Sequence, residues 1–353
     1  MTSNRSPLAQ IVMMDGSFAS LAEGRGSSLA RIHALLRGGM GPLPGQVELH
    51  YAPGQQWAAW RTLPELVAGA SLERNIRRAY GWLARRWQPG VALYFFGYSR
   101  GAVGVCALAQ MIARVGLLRR QQVSAERLRC AWNIFRYAPE HRLDPQLCHD
   151  HVPIRMIGLL DMVMSLGLRL PMVWDLAAPD FDYGRGQLAP NVEYGAHALA
   201  LDETRSAFQP ILWEGGEHPG RVNQVWFRGC HADIGGQLGQ HEFARPLANL
   251  PLVWLLSQAQ ERGLPLPTDW HGHLPCDADA PALGSWRSWG KAFLIRGPRH
   301  AGQDGSHRLH PTVREPYAGP ARLTGELASF AAPRRTRLLG LRRDGGMDSS
   351  APA

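Results

Sequence analysis

Val91 to Phe96 is a run of six apolar residues that opens directly into Gly97-Tyr98-Ser99-Arg100-Gly101. A strand with no polar alternation is dry on both faces, as in a parallel sheet covered by helices on either side. Ala102 to Val115 continues apolar, rich in helix formers and free of proline. The stretch reads strand, tight turn, helix, with Ser99 at the apex. Gly97 and Gly101 stand two residues to either side, where small residues let strand and helix pass closely. A nucleophile elbow of this kind strains the serine backbone and stands its Oγ clear of the sheet. The bland alternative is a Gly-Ser turn capping a helix.

Further strands fit the same sheet. Ile11 to Met14 ends in Asp15-Gly16-Ser17, and Val47 to Tyr51 alternates ahead of Pro53-Gly54. Ile154 to Leu160 ends at Asp161, and Val222 to Phe227 runs into Gly229-Cys230-His231-Ala232-Asp233-Ile234-Gly235-Gly236. Helical patterns cover Ser27 to Leu36, Leu72 to Trp87, Tyr194 to Phe208 and Leu247 to Arg262. Strands alternating with helices predict an α/β fold, a mostly parallel sheet with helices on both faces. We expect one domain over residues 8–330, with an irregular, lid-like segment at about 163–190 marked by the apolar residues Met162, Met164, Leu166, Leu168, Leu170, Met172, Val173 and Trp174. Those apolar residues serve equally well as ordinary core. Periodicity fades after about residue 265, and the basic tail 331–353, with Arg334-Arg335-Thr336-Arg337, is expected to be disordered.

Reactive residues of such sheets sit in loops at the carboxyl ends of strands. Asp15, Ser99, Asp161 and His231 all fall there. A serine hydroxyl needs a base to take its proton and a third group to orient that base. Ser99, Asp161 and His231 supply nucleophile, acid and base in the chain order of an α/β-hydrolase. The amide of Arg100 would give one oxyanion donor, and that of Gly16 or Ser17 the other. Asp161 could instead cap the next segment. Asp233 is the alternative acid and Asp202 a weaker one. His197, in a helix-like run, reads as structural, and His271, His273 and Cys276 read as a solvated loop rather than a zinc site.

Composition narrows the classes. With 353 residues, 45% of them hydrophobic, the chain can bury a large core. The net charge of +9 suits an anionic surface, but no nucleic-acid-binding motif accompanies it. Five widely spaced cysteines without C-x-x-C signal neither a disulfide framework nor a metal site. No cofactor or metal is expected. The N-terminus lacks the long apolar region of a signal peptide, and no apolar run reaches the roughly 18 residues of a membrane span. We therefore expect a chain made in the cytoplasm.

The segments IVMMDGS (11–17), NIRRAYGWLARRWQPGVALYFFGYSRGAVGVCALAQMI (75–112) and IRMIGLLDMV (154–163) resemble the α/β-hydrolase domain family that includes type VI secretion phospholipase effectors. The stretches at 192–213 and 222–238 follow in family order, so the resemblance covers roughly residues 10–262. It implies a lipase or phospholipase with Ser99 as nucleophile and His231 as base. It also implies a phospholipid or membrane surface as substrate, a secretion spike or adaptor and an immunity protein as partners, and delivery to a target-cell periplasm. The family's Trp-Asp-Thr is Leu160-Asp161-Met162 here, and its Asp-Gly-Thr is Asp15-Gly16-Ser17. The first change alters the neighbours of the acid. The second keeps a hydroxyl. A soluble carboxylesterase, a non-catalytic protein of the same fold, and a metal site built from Asp15, Asp161, His231 and Asp233 are the rival readings.

Overall fold

The computed structural model describes residues 7–37, 46–56, 70–164, 186–287, 291 and 293–328. Its core is a sheet of seven parallel strands: β1 Ala9–Met14, β2 Val47–Ala52, β3 Ala92–Tyr98, β4 Met156–Leu160, β5 Gly195–Ala200, β6 Val222–Phe227 and β8 His307–Leu309. The strand order is β2-β1-β3-β4-β5-β6-β8. Two-residue strands β7 (His300–Ala301) and β9 (Arg322–Leu323) pair apart from it.

Helices cover both faces because each inner strand alternates between two apolar sets. Val12, Leu93, Phe95, Ile157 and Leu159 face one cluster, which also takes Ile76 and Leu83 of α2 (Ala70–Arg86), Leu108 of α3 (Arg100–Val115) and Phe135 of α4 (Ala125–Tyr137). Ile11, Tyr94, Phe96, Met156 and Leu160 face the other, built with Leu29 of α1 (Ser28–Arg37) and Leu252 and Leu255 of α6 (Arg245–Glu261). Burial on both faces is what the apolar runs of β1 (from Ile11), β3 and β4 require. A third cluster joins Leu199 and Trp226 of the sheet to Ala301, Val313 and Leu327 of the C-terminal segment.

One sequence expectation is corrected. Tyr194 to Phe208 contains no α-helix; its first part is β5, between β4 and β6. Ala196, Ala198 and Ala200 favour a helix by propensity, but their small side chains sit fully buried beneath α6 in the sheet, where tertiary context decides. Beyond residue 265, where no period is visible, the chain supplies the edge strand β8, whose Gln224–His307 to Trp226–Leu309 register extends β6. Most of the lid-like segment, residues 165–185, and all of the tail 331–353 lie outside the described residues.

Chain order reverses between β1 and β3: β2 lies on one side of β1, and β3 to β6 run out on the other. At such a switch point the loops at the carboxyl ends part and leave a crevice. The loops carrying Asp15 and Ser99 flank it.

Candidate active site

Ser99 is the single residue between β3 and α3, at φ 56° and ψ −126°. A non-glycine residue there stores about 1–3 kcal/mol of strain. Packing around the turn holds it. The Ser99 amide donates to Leu160 O at 3.1 Å, and its carbonyl accepts from Ala102 N at 3.1 Å. A Cβ on Gly97 would lie 2.4 Å from Ala102 Cα, and one on Gly101 would lie 2.0 Å from Met14 O. Both glycines are demanded by space rather than by φ, since strand, helix and β1 cross with no room between them.

His231 opens the short helix α5 (His231–Gly235) after β6. Its Nε2 lies 3.0 Å from Ser99 Oγ, and its Nδ1 lies 2.6 Å from Asp161 Oδ2. With Nδ1–H given to the carboxylate, Nε2 faces the serine as an acceptor. The ring stacks on Tyr98 at 4.9 Å and meets the Phe208 ring edgewise at 5.0 Å. Asp233 is placed otherwise: its carboxylate accepts from Cys230 N at 2.8 Å and Leu283 N at 2.7 Å, pinning the loop that presents His231. Asp202 likewise accepts from Gly229 N at 2.7 Å and the Tyr317 hydroxyl at 2.8 Å. Of the three acids weighed from sequence, Asp161 is the one hydrogen-bonded to His231. His197, a strand residue, accepts from Met162 N at 3.0 Å and so steadies the loop of Asp161.

Sequence reasoning missed Arg299. Its Nη1 donates to Asp161 Oδ1 at 2.6 Å and its Nη2 to Oδ2 at 2.9 Å, a two-pronged pair with both side chains buried. The same guanidinium donates to Ala200 O at 2.9 Å and to Phe208 O. Ala200 N completes the shell of Oδ1 at 3.1 Å. Burial pushes the Asp161 pKa up, but the Arg299 charge and the hydrogen bonds from His231 and Arg299 outweigh it, leaving the carboxyl well below the usual range. Gly297-Pro298-Arg299-His300 carries no motif, and Arg299 lies 138 residues from Asp161, so no local signal could have found it.

The Asp15 loop closes the other side. A Cβ on Gly16 would come within 3.1 Å of Ser99 Cβ. Asp15 Oδ1 accepts from Gly16 N at 2.8 Å, and Oδ2 accepts from the hydroxyls of Ser27 at 2.8 Å and Tyr51 at 2.7 Å. Burial raises its pKa to about 6 against the pull of those three bonds. The Arg100 side chain folds back so that its Nε donates to Ser17 Oγ at 2.7 Å. The loop thus lies against the turn from which the Arg100 amide enters α3. Among the described residues no three His, Cys, Asp or Glu side chains converge as a metal site requires, and the five cysteines are free.

A parallel sheet bearing a strained serine turn after β3, an acid after β4 and a histidine after β6 defines an α/β-hydrolase. The catalytic-domain profile of the Tle1-like phospholipase effectors of type VI secretion matches residues 9–258. The chain belongs to that family. Arg299 lies beyond the matched stretch. An uncharacterized protein of Saccharomyces cerevisiae is 30% identical over 158 residues, 40% of this chain and 22% of that protein. A crystal structure of an uncharacterized protein from Pseudomonas aeruginosa shares 16% identity at a TM-score of 0.44, over 79% of this chain and 52% of that one. The Tle1 effector bound to the VgrG spike of the type 6 secretion system shares 15% at a TM-score of 0.39, over 66% of this chain and 51% of the other. This chain thus spans about half the length of those two solved chains.

Proposed function

We propose that the chain is a serine hydrolase that cleaves carboxylic esters of phospholipids by acyl transfer. The observation that carries this reading is the unbroken Ser99–His231–Asp161 chain of hydrogen bonds, at 3.0 Å and 2.6 Å, in a member of a phospholipase effector family. Ser99 Oγ attacks the ester carbonyl as His231 Nε2 takes its proton. Collapse of the tetrahedral intermediate breaks the C–O bond, and His231 returns the proton to the departing lysolipid alcohol. Water, deprotonated by the same nitrogen, then releases the fatty acid and restores Ser99. Asp161 fixes the imidazole through Nδ1–H, and Arg299 keeps Asp161 ionised and aimed. The Arg100 amide is one oxyanion donor. Because Gly16 N–H is engaged with Asp15, the second is assigned to the Ser17 amide.

Family membership supports delivery by type VI secretion, and the solved Tle1–VgrG complex supports a spike as the carrier. Action in a target-cell periplasm and neutralisation by an immunity protein belong to the same reading. No described helix is long and apolar enough to cross a membrane.

Hydrolysis of fluorescent phospholipid vesicles and of a short-chain p-nitrophenyl ester tests the proposal. Wild type should cleave the vesicles, and Ser99→Ala should lose at least about a thousandfold. Cleavage of the short ester alone would make the chain a soluble carboxylesterase. Vesicle cleavage that survives Ser99→Ala would remove the serine mechanism.

A further inference from the structure

Helix α2 carries Arg74, Arg78 and Arg85 along one stripe, with Gly81 between the last two. Spacings of four, three and four residues place all four positions on a single helix face. Arg77 and Arg86 flank the stripe, and Arg129 stands opposite on α4. All six guanidinium side chains are exposed. Gly81 is buried beneath the stripe, where Arg85 Nη1 donates to its carbonyl at 2.7 Å, and between the two helices lies an open groove of about 810 Å³ lined by these arginines with Tyr80, Trp82, Met111 and Leu128.

No carboxylate lines the groove among the described residues, and none of the six arginines has an acidic partner there. Glu73, the nearest acid on α2, is taken by Arg136 at 3.3 Å. Arg86 lies over the Trp82 ring at 5.6 Å and Arg77 over Trp132 at 5.9 Å. The half-buried His50 also lines the groove, and its Nε2 is buried without a hydrogen-bond partner. Burial, then Arg86 and Arg78, hold its imidazole neutral, with a pKa down at about 4. Six positive charges on one concave face, with no carboxylate among its described residues, repel one another. Anions carrying several oxygens relieve that repulsion, and guanidinium forks suit phosphate.

We propose that the groove between α2 and α4 binds the phosphates of an anionic phospholipid surface and anchors the protein to the bilayer. This rests on the phospholipid reading of the active site and adds a second point of attachment to it. The groove starts close to that site: Leu72, two residues before Arg74, packs where a Cβ on Gly104 would lie, one turn into the helix that follows Ser99. A helix of 17 residues spans about 25 Å, enough to engage several headgroups. Trp82 adds the amphipathic ring that favours a membrane interface. The arginine-rich composition thus acquires a location.

Co-sedimentation with phosphatidylcholine vesicles, with and without phosphatidylglycerol, tests this in the full chain carrying Ser99→Ala, so that hydrolysis does not enter. The Ser99→Ala chain should bind the phosphatidylglycerol vesicles, weaken as salt rises, and ignore pure phosphatidylcholine. Adding Arg77→Gln, Arg78→Gln and Arg85→Gln together should weaken binding on the order of a hundredfold. Adding Arg142→Gln, Arg308→Gln and Arg322→Gln, which remove the same charge elsewhere on the exposed surface, should change it less than threefold. A cooperative melt in both variants confirms folding. Equal losses would reduce the effect to net charge, and no loss, or no binding at all, would overturn the proposal. Displacement from the vesicles by millimolar inorganic phosphate would mean a site for free phosphate instead.

Discussion

Ser99 and Asp161 end adjacent strands with positive φ, 56° and 46°, yet different forces hold them. The serine turn is held by its own neighbourhood: Gly97, Gly101 and Ala102 leave the backbone no other path. The acid is held by side chains gathered from afar, with His197 on β5 steadying its loop and Arg299 gripping both its oxygens. One device is steric and local. The other is electrostatic and long-range, and its last component lies outside the stretch matched to the family. The Ser99 turn should therefore tolerate changes at a distance, whereas the placement of Asp161 should not.

The sharpest break in that contrast is Asp161→Asn, which should lower kcat/KM by about 10⁴-fold through the wrong imidazole tautomer. Asp233→Asn should cost less than about tenfold, because a loop anchor is weakened rather than the base misdirected. Steady-state kinetics on both variants decides between the two acids, and a larger loss at Asp233 would reverse the assignment.

Arg299→Gln should come next, destabilising the fold by about 3–5 kcal/mol by leaving a buried charge uncompensated. It should also move the acidic limb of kcat/KM to higher pH. Removing a positive charge eases proton binding at the Asp161–His231 pair, while the Glu203–Arg205 ion pair and neutral His197 beside it stay in place. Arg299→Lys should recover part of that displacement. In wild type the Asp161 pKa is depressed by folding, so its stabilisation is complete above the ordinary aspartate value and fades only in stronger acid. Thermal melts and pH profiles report both effects, and an unmoved limb would leave Arg299 a purely structural anchor.

These unequal devices explain what the sequence made legible. Three fixed positions around Ser99, preceded by an unbroken apolar strand, specify a turn that short-range sterics enforce. The carboxyl-end placement of Asp15, Asp161 and His231 follows from strand ends that apolar runs mark clearly. Arg299 follows no such logic, because a long-range ion pair leaves no periodic trace. Strand β5 was missed for a related reason. Its alanines satisfy a packing need set by α6, which the segment itself does not reveal. The hydrogen bond that commits Gly16 N–H to Asp15 is a matter of side-chain geometry that a motif cannot carry.

A subtler probe of the steric device compares Ser99→Gly with Ser99→Ala. Glycine should stabilise the fold by about 1–2 kcal/mol relative to alanine, because only glycine relieves the positive φ. Equal melting temperatures would mean the turn stores no strain. The smallest effect should come from Asp15. With its pKa raised to about 6, the folded state binds a proton more readily than the unfolded chain, so stability should fall as pH rises from about 4 to 6. Asp15→Asn should flatten that slope in melts across the window.

The central claim is that Ser99 is a nucleophile activated by His231. Labelling with a fluorophosphonate, followed by mass spectrometry, tests it most directly. One adduct should form on Ser99, readily in wild type, far more slowly in His231→Ala, and not at all in Ser99→Ala. An adduct on another residue, or an unlabelled Ser99 in folded wild-type protein, would contradict it.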